Sequence, residues 1–296
     1  MGILGYRSSI LAVGMVFIMA MATIVFREDP AEARGPKVFL ACETYSLRDY
    51  IAQGKYDYIS VMKLMKELGI KGIALNDIWM KSYDKPYLDK IKRAAKDNGV
   101  IIVGLICDGN LAADNEPARR KQIEQDAMKM RAAAYLGARI VRLNIGGTGD
   151  PARDGTVGVE RAIAAFNELL ALAKELKLKL TIENHGGVSA KADYILRIIQ
   201  GTDPKYVGAC LDFKNWPNEV IYEENAKLAP YAYHVHAKTH SFTPEGEETV
   251  VDYGRFLKML KDAKYRGAIS IEFEGPGDQI EGVKKTRDLI LKYWKM

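Results

Sequence analysis

The segment Ala232-Tyr-His-Val-His-Ala-Lys-Thr239 has the alternation of a buried β-strand, yet it carries two imidazoles and an ammonium group. Side chains on a strand alternate between its two faces, so His234, His236 and Lys238 share one face. Burying such groups without partners is unfavourable, and they are normally paired or bound to a metal. The segment therefore predicts a strand whose polar face belongs to a binding site for a divalent metal.

Three further strand-like segments each place a carboxylate near their C-terminal ends, just before a loop. They are Leu180-Thr-Ile-Glu-Asn-His185, Gly208-Ala-Cys-Leu-Asp212 and Ile269-Ser-Ile-Glu-Phe-Glu274. Glu183, Asp212 and Glu272 thus join His236 as candidate metal ligands. Three carboxylates and one imidazole form an oxygen-rich set of donors, which favours Mn²⁺, Mg²⁺ or Co²⁺ and is also compatible with Zn²⁺.

From Lys37 onward, short apolar segments alternate with amphipathic helical segments. Strict alternation indicates parallel strands joined by right-handed crossovers, and eight such units close into a (β/α)8 TIM barrel. An open doubly wound sheet is the alternative fold, but the first strand-to-helix turn has no glycine-rich phosphate loop. The predicted strands are residues 38–42, 72–75, 101–106, 140–144, 179–183, 207–211, 232–237 and 268–273.

The N-terminal segment differs from the rest of the chain. Arg7 precedes an uncharged run at residues 10–26, and Ala31-Glu-Ala33 matches the small-x-small pattern that a signal peptidase accepts. We expect residues 1–33 to be a cleaved signal for export to the periplasm or the cell exterior, and residues 34–296 to form one barrel domain. An uncleaved membrane anchor is the alternative, because the run is close to the shortest length that spans a bilayer.

Charge and cysteine content limit the expected partners. The formal net charge is +5, and the basic residues are interspersed with acidic ones, so we expect no nucleic-acid partner. Cys42, Cys107 and Cys210 each fall in or beside a predicted strand, and an odd number of cysteines does not form a complete disulfide framework. We expect buried free thiols. The oligomeric state has no signature in the sequence.

Six segments of the chain form a recognisable set of motifs. They are Tyr45-Ser-Leu-Arg-Asp49, Ile182-Glu-Asn-His-Gly-Gly187, Leu211-Asp-Phe-Lys-Asn215, His234-Val-His-Ala-Lys238, Val251-Asp-Tyr253 and Ile269-Ser-Ile-Glu-Phe-Glu274. Together these segments resemble the sugar phosphate isomerase/epimerase family of xylose-isomerase-like barrels. The resemblance covers about residues 37–294, and its implied metal ligands are Glu183, Asp212, His236 and Glu272. It also implies that Glu183 and Glu272 move protons on opposite faces of a sugar, at a carbon beside the carbonyl.

Further residues are expected at the same cleft, where they would contact a small carbohydrate substrate. Lys238 is placed to neutralise an enolate or an acidic group, and an aromatic face such as that of Trp216 can stack on a sugar ring or pack in the core. His234 lies deeper on its strand, where it either contacts substrate or hydrogen-bonds a metal ligand. The full set of candidate substrate contacts is His185, Asn215, Lys238, His234, Glu274, Glu43 and Trp216.

We therefore expect an exported, metal-dependent isomerase or epimerase that acts on a free sugar or keto-sugar through an enediolate. A lyase or dehydratase that uses β-elimination on a 3-keto-sugar or glycoside begins with the same proton removal and stays open. The epimerases of the family that this chain resembles carry a His at the position of Asn215 and an Arg in the loop after the seventh strand. This chain has no Arg in that loop before Arg255, so the exact reaction stays open. A non-catalytic sugar-binding protein is a further alternative. A phosphodiester endonuclease of this barrel type is another, but such enzymes need several histidines in the early strands, and the first histidine of this chain is His185.

Overall fold

The computed structural model describes residues 37–296, and the predicted export signal lies outside the described residues. The described residues form a closed barrel of eight parallel strands in chain order. Strand β1 pairs with β8 from Phe39 opposite Ala268 to Cys42 opposite Ile271, which closes the barrel. The predicted (β/α)8 fold is confirmed. The strands are β1 Phe39–Glu43, β2 Gly72–Asn76, β3 Ile101–Cys107, β4 Ile140–Leu143, β5 Lys179–Glu183, β6 Val207–Asp212, β7 Ala232–Thr239 and β8 Ala268–Phe273.

The strand ends matter because they carry the polar residues. Strands β5 and β8 have the predicted bounds, whereas β6 and β7 continue beyond their predicted ends to Asp212 and Thr239. Asp212 pairs with His236, and Thr239 pairs with Phe273, so neighbouring strands continue the hydrogen-bonded ladder. Hydrogen bonds to the neighbouring strands therefore extend β6 and β7 into the candidate site. The sequence of one strand alone does not show which residues it pairs with.

Helices follow the strands around the outside of the barrel. The second helix begins at Val61, because Asp57 Oδ1 accepts the N–H groups of Ile59 and Ser60 and forms a preceding turn. The helices are α1 Arg48–Ala52, α2 Val61–Glu67, α3 Lys85–Asn98, α4 Glu116–Leu136, α5 Pro151–Arg153, α6 Val159–Leu176, α7 Ala192–Gln200, α8 Ile221–Leu228, α9 Tyr253–Asp262 and α10 Gln279–Tyr293.

Two apolar clusters pack the part of the chain that the structure describes. The larger cluster fills the space between the strands and the surrounding helices, and a small cluster of Ala41, Ala74, Val103, Ile106 and Ala268 fills part of the barrel interior. The three cysteines are buried and free, as predicted. Within residues 37–296, none of the helices has the length and apolar character needed to cross a membrane. The remaining interior positions, on β4 to β8, are largely polar and lead to the site.

Candidate metal centre

Strands β5, β6, β7 and β8 bring the four predicted metal ligands together inside the barrel. Glu183, Asp212, His236 and Glu272 are all buried, with exposures of 6% or less. One carboxylate oxygen or ring nitrogen from each residue lies within 4.8 Å of the others. Each residue stands at or near the C-terminal end of its strand, where barrel enzymes place reactive groups. The geometry is thus that of a cation site, and the role of these residues as ligands stays a prediction.

The hydrogen bonds within the cluster leave two carboxylate oxygens without partners. His236 Nδ1 lies 2.9 Å from Glu183 Oε1 and 3.4 Å from Glu272 Oε2. Asp212 Oδ1 accepts the backbone N–H groups of Lys214 and Asn215 at 2.7 and 2.8 Å. Within residues 37–296, Asp212 Oδ2 and Glu272 Oε2 are buried and make no hydrogen bond, and the Lys238 ammonium lies 3.4 and 3.5 Å from them. Buried polar atoms are normally satisfied, so these two oxygens fit a bound divalent cation.

Mutual electrostatic effects set the ionisation of the three carboxyl groups. Burial opposes ionisation of Glu183, but the charges of His236 and Arg142 outweigh it and lower the pKa of Glu183 to about 2. Burial likewise opposes ionisation of Glu272, where Lys238 and His236 lower the pKa well below its usual range. At Asp212, burial and the neighbouring carboxylates prevail over Lys238 and raise the pKa. A divalent cation would relieve this crowding of negative charge.

Two residues that support the ligands were missed in the sequence. Arg142 on β4 points its Nε at Glu183 Oε2, 3.2 Å away, and its Nη1 lies 3.2 Å from Asp108 Oδ1. Asn184 links β5 to β6, because its amide donates to the Asp212 carbonyl at 3.1 Å and its Oδ1 accepts the Asp212 N–H at 2.9 Å. Arg142 interrupts an apolar strand in the same way as the two histidines of β7, so the sequence alone could have indicated that it belongs to the site.

Lys238 connects the candidate ligands to two predicted substrate contacts. Its Nζ donates to Asn215 Oδ1 at 2.9 Å and lies 3.1 Å from Glu274 Oε1. The same nitrogen lies 3.4 Å from Asp212 Oδ2 and 3.5 Å from Glu272 Oε2. The structure therefore places Lys238, Asn215 and Glu274 together at one side of the cluster.

Glu43, another predicted substrate contact, stands at the end of β1. It is fully buried; its Oε2 accepts the Tyr45 N–H at 2.6 Å, and its Oε1 has no hydrogen-bond partner. Burial, with the nearby charge of Glu272, raises the pKa of Glu43 to about 8. At neutral pH the side chain is therefore a protonated acid that can donate a hydrogen bond.

Three predicted substrate contacts have different surroundings. His185 is exposed in the loop after β5. His234 is fully buried, with its two ring nitrogens facing Cys210 and Ser270, so the structure places it beneath the candidate ligands, and its contact with substrate stays a prediction. Trp216 is only 4% exposed and packs in the main apolar cluster, which corresponds to the core-packing alternative and not to a sugar-stacking face.

The family of the chain follows from a comparison with protein-family models. Residues 51–293 match the model of the xylose isomerase-like TIM barrel family. This match covers most of the chain, so the protein belongs to that family. The family resemblance found in the sequence is thereby confirmed.

Curated relatives match over short segments only. A 3'-dehydrocarminate deglycosidase alpha subunit from Microbacterium sp is 42% identical over 53 residues, or 18% of this chain and 15% of the relative. A C-glycoside deglycosidase alpha subunit from Arthrobacter globiformis is 33% identical over 75 residues, or 23% of this chain and 21% of the relative. The chain thus aligns with about a fifth or less of each curated relative.

Solved structures share the fold at low sequence identity. D-psicose 3-epimerase from Clostridium cellulolyticum H10, crystallised with D-tagatose, has a TM-score of 0.71 and 14% identity over 86% of this chain and 99% of its own. The 3-keto-D-glucoside 4-epimerase YcjR from E. coli has a TM-score of 0.66 and 15% identity, over 87% and 99%. The IOLI protein with a bound zinc atom has a TM-score of 0.69 and 15% identity, over 87% and 100%.

Proposed function

We propose that this protein is a divalent-metal-dependent enzyme that isomerises or epimerises a free sugar or keto-sugar by moving a proton beside its carbonyl. The observation that carries the proposal is the convergence of Glu183, Asp212, His236 and Glu272 within 4.8 Å in the buried barrel interior. Membership of the xylose isomerase-like family and the fold shared with sugar epimerases support the same class of substrate.

The four converging residues would hold the cation. A divalent cation bound there supplies a Lewis acid that polarises a substrate oxygen and acidifies the neighbouring C–H group. The three carboxylates favour Mn²⁺, Mg²⁺ or Co²⁺. Zn²⁺ is the other candidate, which the zinc atom in the structurally similar IOLI protein supports.

Glu183 and Glu272 are the proton carriers in this proposal. Both pKa values are lowered, so each side chain is ionised and able to accept a proton. One carboxylate takes the proton from the carbon beside the carbonyl, and the C–H electron pair moves into an enediolate. For inversion, the other residue takes up a proton from solvent and delivers it to the opposite face of that carbon, while the first residue returns its proton to solvent. For isomerisation, the proton is delivered to the adjacent carbon, and the hydroxyl proton moves between the two oxygens of the enediolate. Lys238 and the protonated Glu43 donate hydrogen bonds to the developing negative charge.

Solvent hydrogen exchange tests this proposal. Purified protein supplied with Mn²⁺, Mg²⁺, Co²⁺ or Zn²⁺ should incorporate deuterium from D₂O beside the carbonyl of a keto-sugar substrate, as read by NMR of a panel of free keto-sugars and 3-keto-glycosides. Glu183→Gln and Glu272→Gln should each lower the rate by about 10²–10⁴-fold, the usual contribution of a positioned acid or base. Glu67→Gln on the exposed face of α2 is the matched control. Absence of exchange with every member of the panel would refute the proposal.

A second candidate function, β-elimination on a 3-keto-glycoside, is supported by the two curated relatives that are named deglycosidase alpha subunits. The same proton removal then forms a carbon–carbon double bond as the glycosidic C–O bond breaks, and the departing oxygen takes up a proton. Product analysis separates the two reactions. Release of the aglycone together with an unsaturated sugar indicates elimination, whereas an intact glycoside with an inverted carbon indicates epimerisation.

We further propose that the protein is exported and that residues 34–296 form the mature barrel. The basis is the N-terminal sequence, with its uncharged run at residues 10–26 and the Ala31-Glu-Ala33 pattern. N-terminal sequencing of the protein purified from the periplasm of an expressing bacterium should begin near residue 34. A full-length chain in the membrane fraction would instead establish the uncleaved anchor.

A further inference from the structure

A second polar layer lies directly beneath the candidate metal ligands. Cys210, His234 and Ser270 are all completely buried, and each stands two residues before a predicted ligand on β6, β7 or β8. Because inward-facing residues recur every second position, each of the three sits below its ligand on the same face of its strand. We call these three residues the inner relay.

The inner relay is hydrogen-bonded from strand to strand. His234 Nε2 lies 2.7 Å from Ser270 Oγ, and His234 Nδ1 lies 3.7 Å from Cys210 Sγ. A neutral imidazole has one donor nitrogen and one acceptor nitrogen, whereas a hydroxyl and a thiol each offer both functions. The arrangement is satisfied when His234 Nε2–H donates to Ser270 and the Cys210 thiol donates to His234 Nδ1. The sulfur lone pairs then remain available to one further donor.

His236 supplies a donor that has no other partner. Its Nδ1 faces Glu183 Oε1 at 2.9 Å, and its Nε2 is buried without a hydrogen bond of ordinary geometry. Cys210 Sγ and one ring nitrogen from each of His234 and His236 lie within 4.8 Å of one another. The two imidazole rings stand nearly perpendicular, with centroids 4.9 Å apart. Cys210 is therefore the polar group of the inner relay that is placed to receive His236 Nε2–H.

We propose that Cys210, held by His234 and Ser270, is a positioning residue that accepts the Nε2–H group of His236 and so presents His236 Nδ1 to the cation. Histidine ligands generally donate their second ring N–H to a neighbouring group, which fixes the ring orientation and the tautomer, and loss of that group typically weakens metal binding by about 10–100-fold. The inference rests on the proposed metal centre and adds to it a buried thiol that does not itself bind the metal.

Metal affinity of the whole protein tests the inference without reference to catalysis. Dissociation constants for Mn²⁺ and Zn²⁺ are measured by competition with a chromophoric chelator for the wild type, Cys210→Ala, Cys210→Ser and Cys107→Ala. Cys210→Ala should bind about 10–100-fold more weakly. Cys210→Ser should stay within a few-fold of the wild type, because a hydroxyl also donates and accepts. Cys107→Ala, which removes an equally buried thiol from the main apolar cluster, should leave affinity unchanged.

Wild-type affinity in Cys210→Ala would overturn the inference. If that variant does not fold, Ser270→Ala carries the test, because truncating the far end of the inner relay should weaken binding by a few-fold. Unchanged affinity in Ser270→Ala would then overturn it. Melting temperatures measured with and without metal separate these losses from general destabilisation, which would lower both values equally.

Cobalt substitution distinguishes positioning from direct ligation. The Co²⁺ form of the wild type should lack the strong near-ultraviolet band of thiolate-to-cobalt charge transfer. A band of this kind that disappears in Cys210→Ser would make Cys210 a ligand and overturn the inference. Failure of the wild type to bind any divalent metal would overturn both the inference and the proposed function. Normal binding and turnover in the wild type, with equal affinity in Cys210→Ala, would overturn the inference alone.

Discussion

Arg142 Nε lies 3.2 Å from Glu183 Oε2, and both side chains are buried in the barrel interior. The guanidinium also reaches Asp108 Oδ1, whose side chain is half exposed at the rim. The charge of His236, together with that of Arg142, lowers the pKa of Glu183 and keeps its carboxyl group ionised. Arg142 therefore links the loop after β3 to the centre of the candidate site.

Replacement of Arg142 should lower the stability of the metal-free protein. Arg142→Met removes the buried cationic partner of Glu183 Oε2 and leaves His236 as the remaining partner of this carboxylate. Breaking a buried ion pair by removing one partner costs about 3–5 kcal/mol. Urea denaturation of the metal-free protein measures the loss. Asp108→Asn removes only the half-exposed partner and should cost less than about 1 kcal/mol. Equal losses in the two variants would contradict a specific role for the buried pair.

Lys238 should have opposite effects on metal affinity and on turnover. Its ammonium group stands within 3.5 Å of Asp212 Oδ2 and Glu272 Oε2, so it repels a cation held by the same oxygens. Lys238→Met should therefore bind Mn²⁺ about tenfold more tightly or better, since unit charges about 4 Å apart near a protein surface interact by several kcal/mol. Turnover should fall, because a donor to the developing oxyanion is lost. Weaker metal binding in the variant would show that Lys238 supports the ligand geometry instead.

Glu43 should make the stability of the metal-free protein depend on pH. Its pKa is raised from 4.5 to about 8, so between these values the folded protein holds a proton that the unfolded chain has released. The contribution of Glu43 is therefore fully present below about pH 4.5 and is lost as pH rises through about 8. Glu43→Gln lacks this dependence, and its free energy of unfolding relative to the wild type should increase from pH 5 to pH 8. Parallel stability curves for the two proteins, measured by urea denaturation at each pH, would contradict the assignment.

Metal binding should strengthen as pH rises. Burial opposes the charge on His236, but Cys210 and the carboxylates of Glu183 and Glu272 outweigh it and raise its pKa well above the usual range. In the metal-free protein the imidazole is therefore protonated, and a cation has to displace the Nδ1 proton. Calorimetric titrations in buffers of different ionisation enthalpy should detect proton release. An affinity that stays constant from pH 6 to pH 9 would argue against His236 as a ligand.

Period-two alternation and the barrel rule were sufficient to predict that the four candidate ligands converge. Glu183, His236 and Glu272 lie on inward faces at strand ends, and the sequence defines both the face and the end. Asp212 was also predicted, although the strand it belongs to was drawn one residue too short. Alternation shows which residues of a strand face the barrel interior. Because the C-terminal ends of parallel strands lie at the same side of a barrel, inward-facing residues at these ends come together.

Alternation along a strand does not predict how deeply an inward-facing side chain is buried or which groups it hydrogen-bonds. His234 shares the face of His236, but only the positions of Cys210 and Ser270 on neighbouring strands show that its nitrogens are already occupied. For Trp216 the sequence left open whether the ring stacks on a sugar or packs in the core, and only the packing of the loop around it shows that it is buried. Arg142 was missed because β4 was interpreted as an apolar strand, although burial of an arginine requires an anionic partner.

The four ligand positions all belong to the last four strands, whereas the first four strands supply Glu43, Arg142 and much of the apolar filling of the interior. In the proposed enzyme, the second half of the barrel would therefore hold the cation, and both halves would contact the substrate. Exchanging the loops that follow β1 to β3 would give a library of barrels with one reactive centre and varied acceptance of sugars. Such loop exchanges would change which sugars the barrel accepts while keeping the same four residues at its centre.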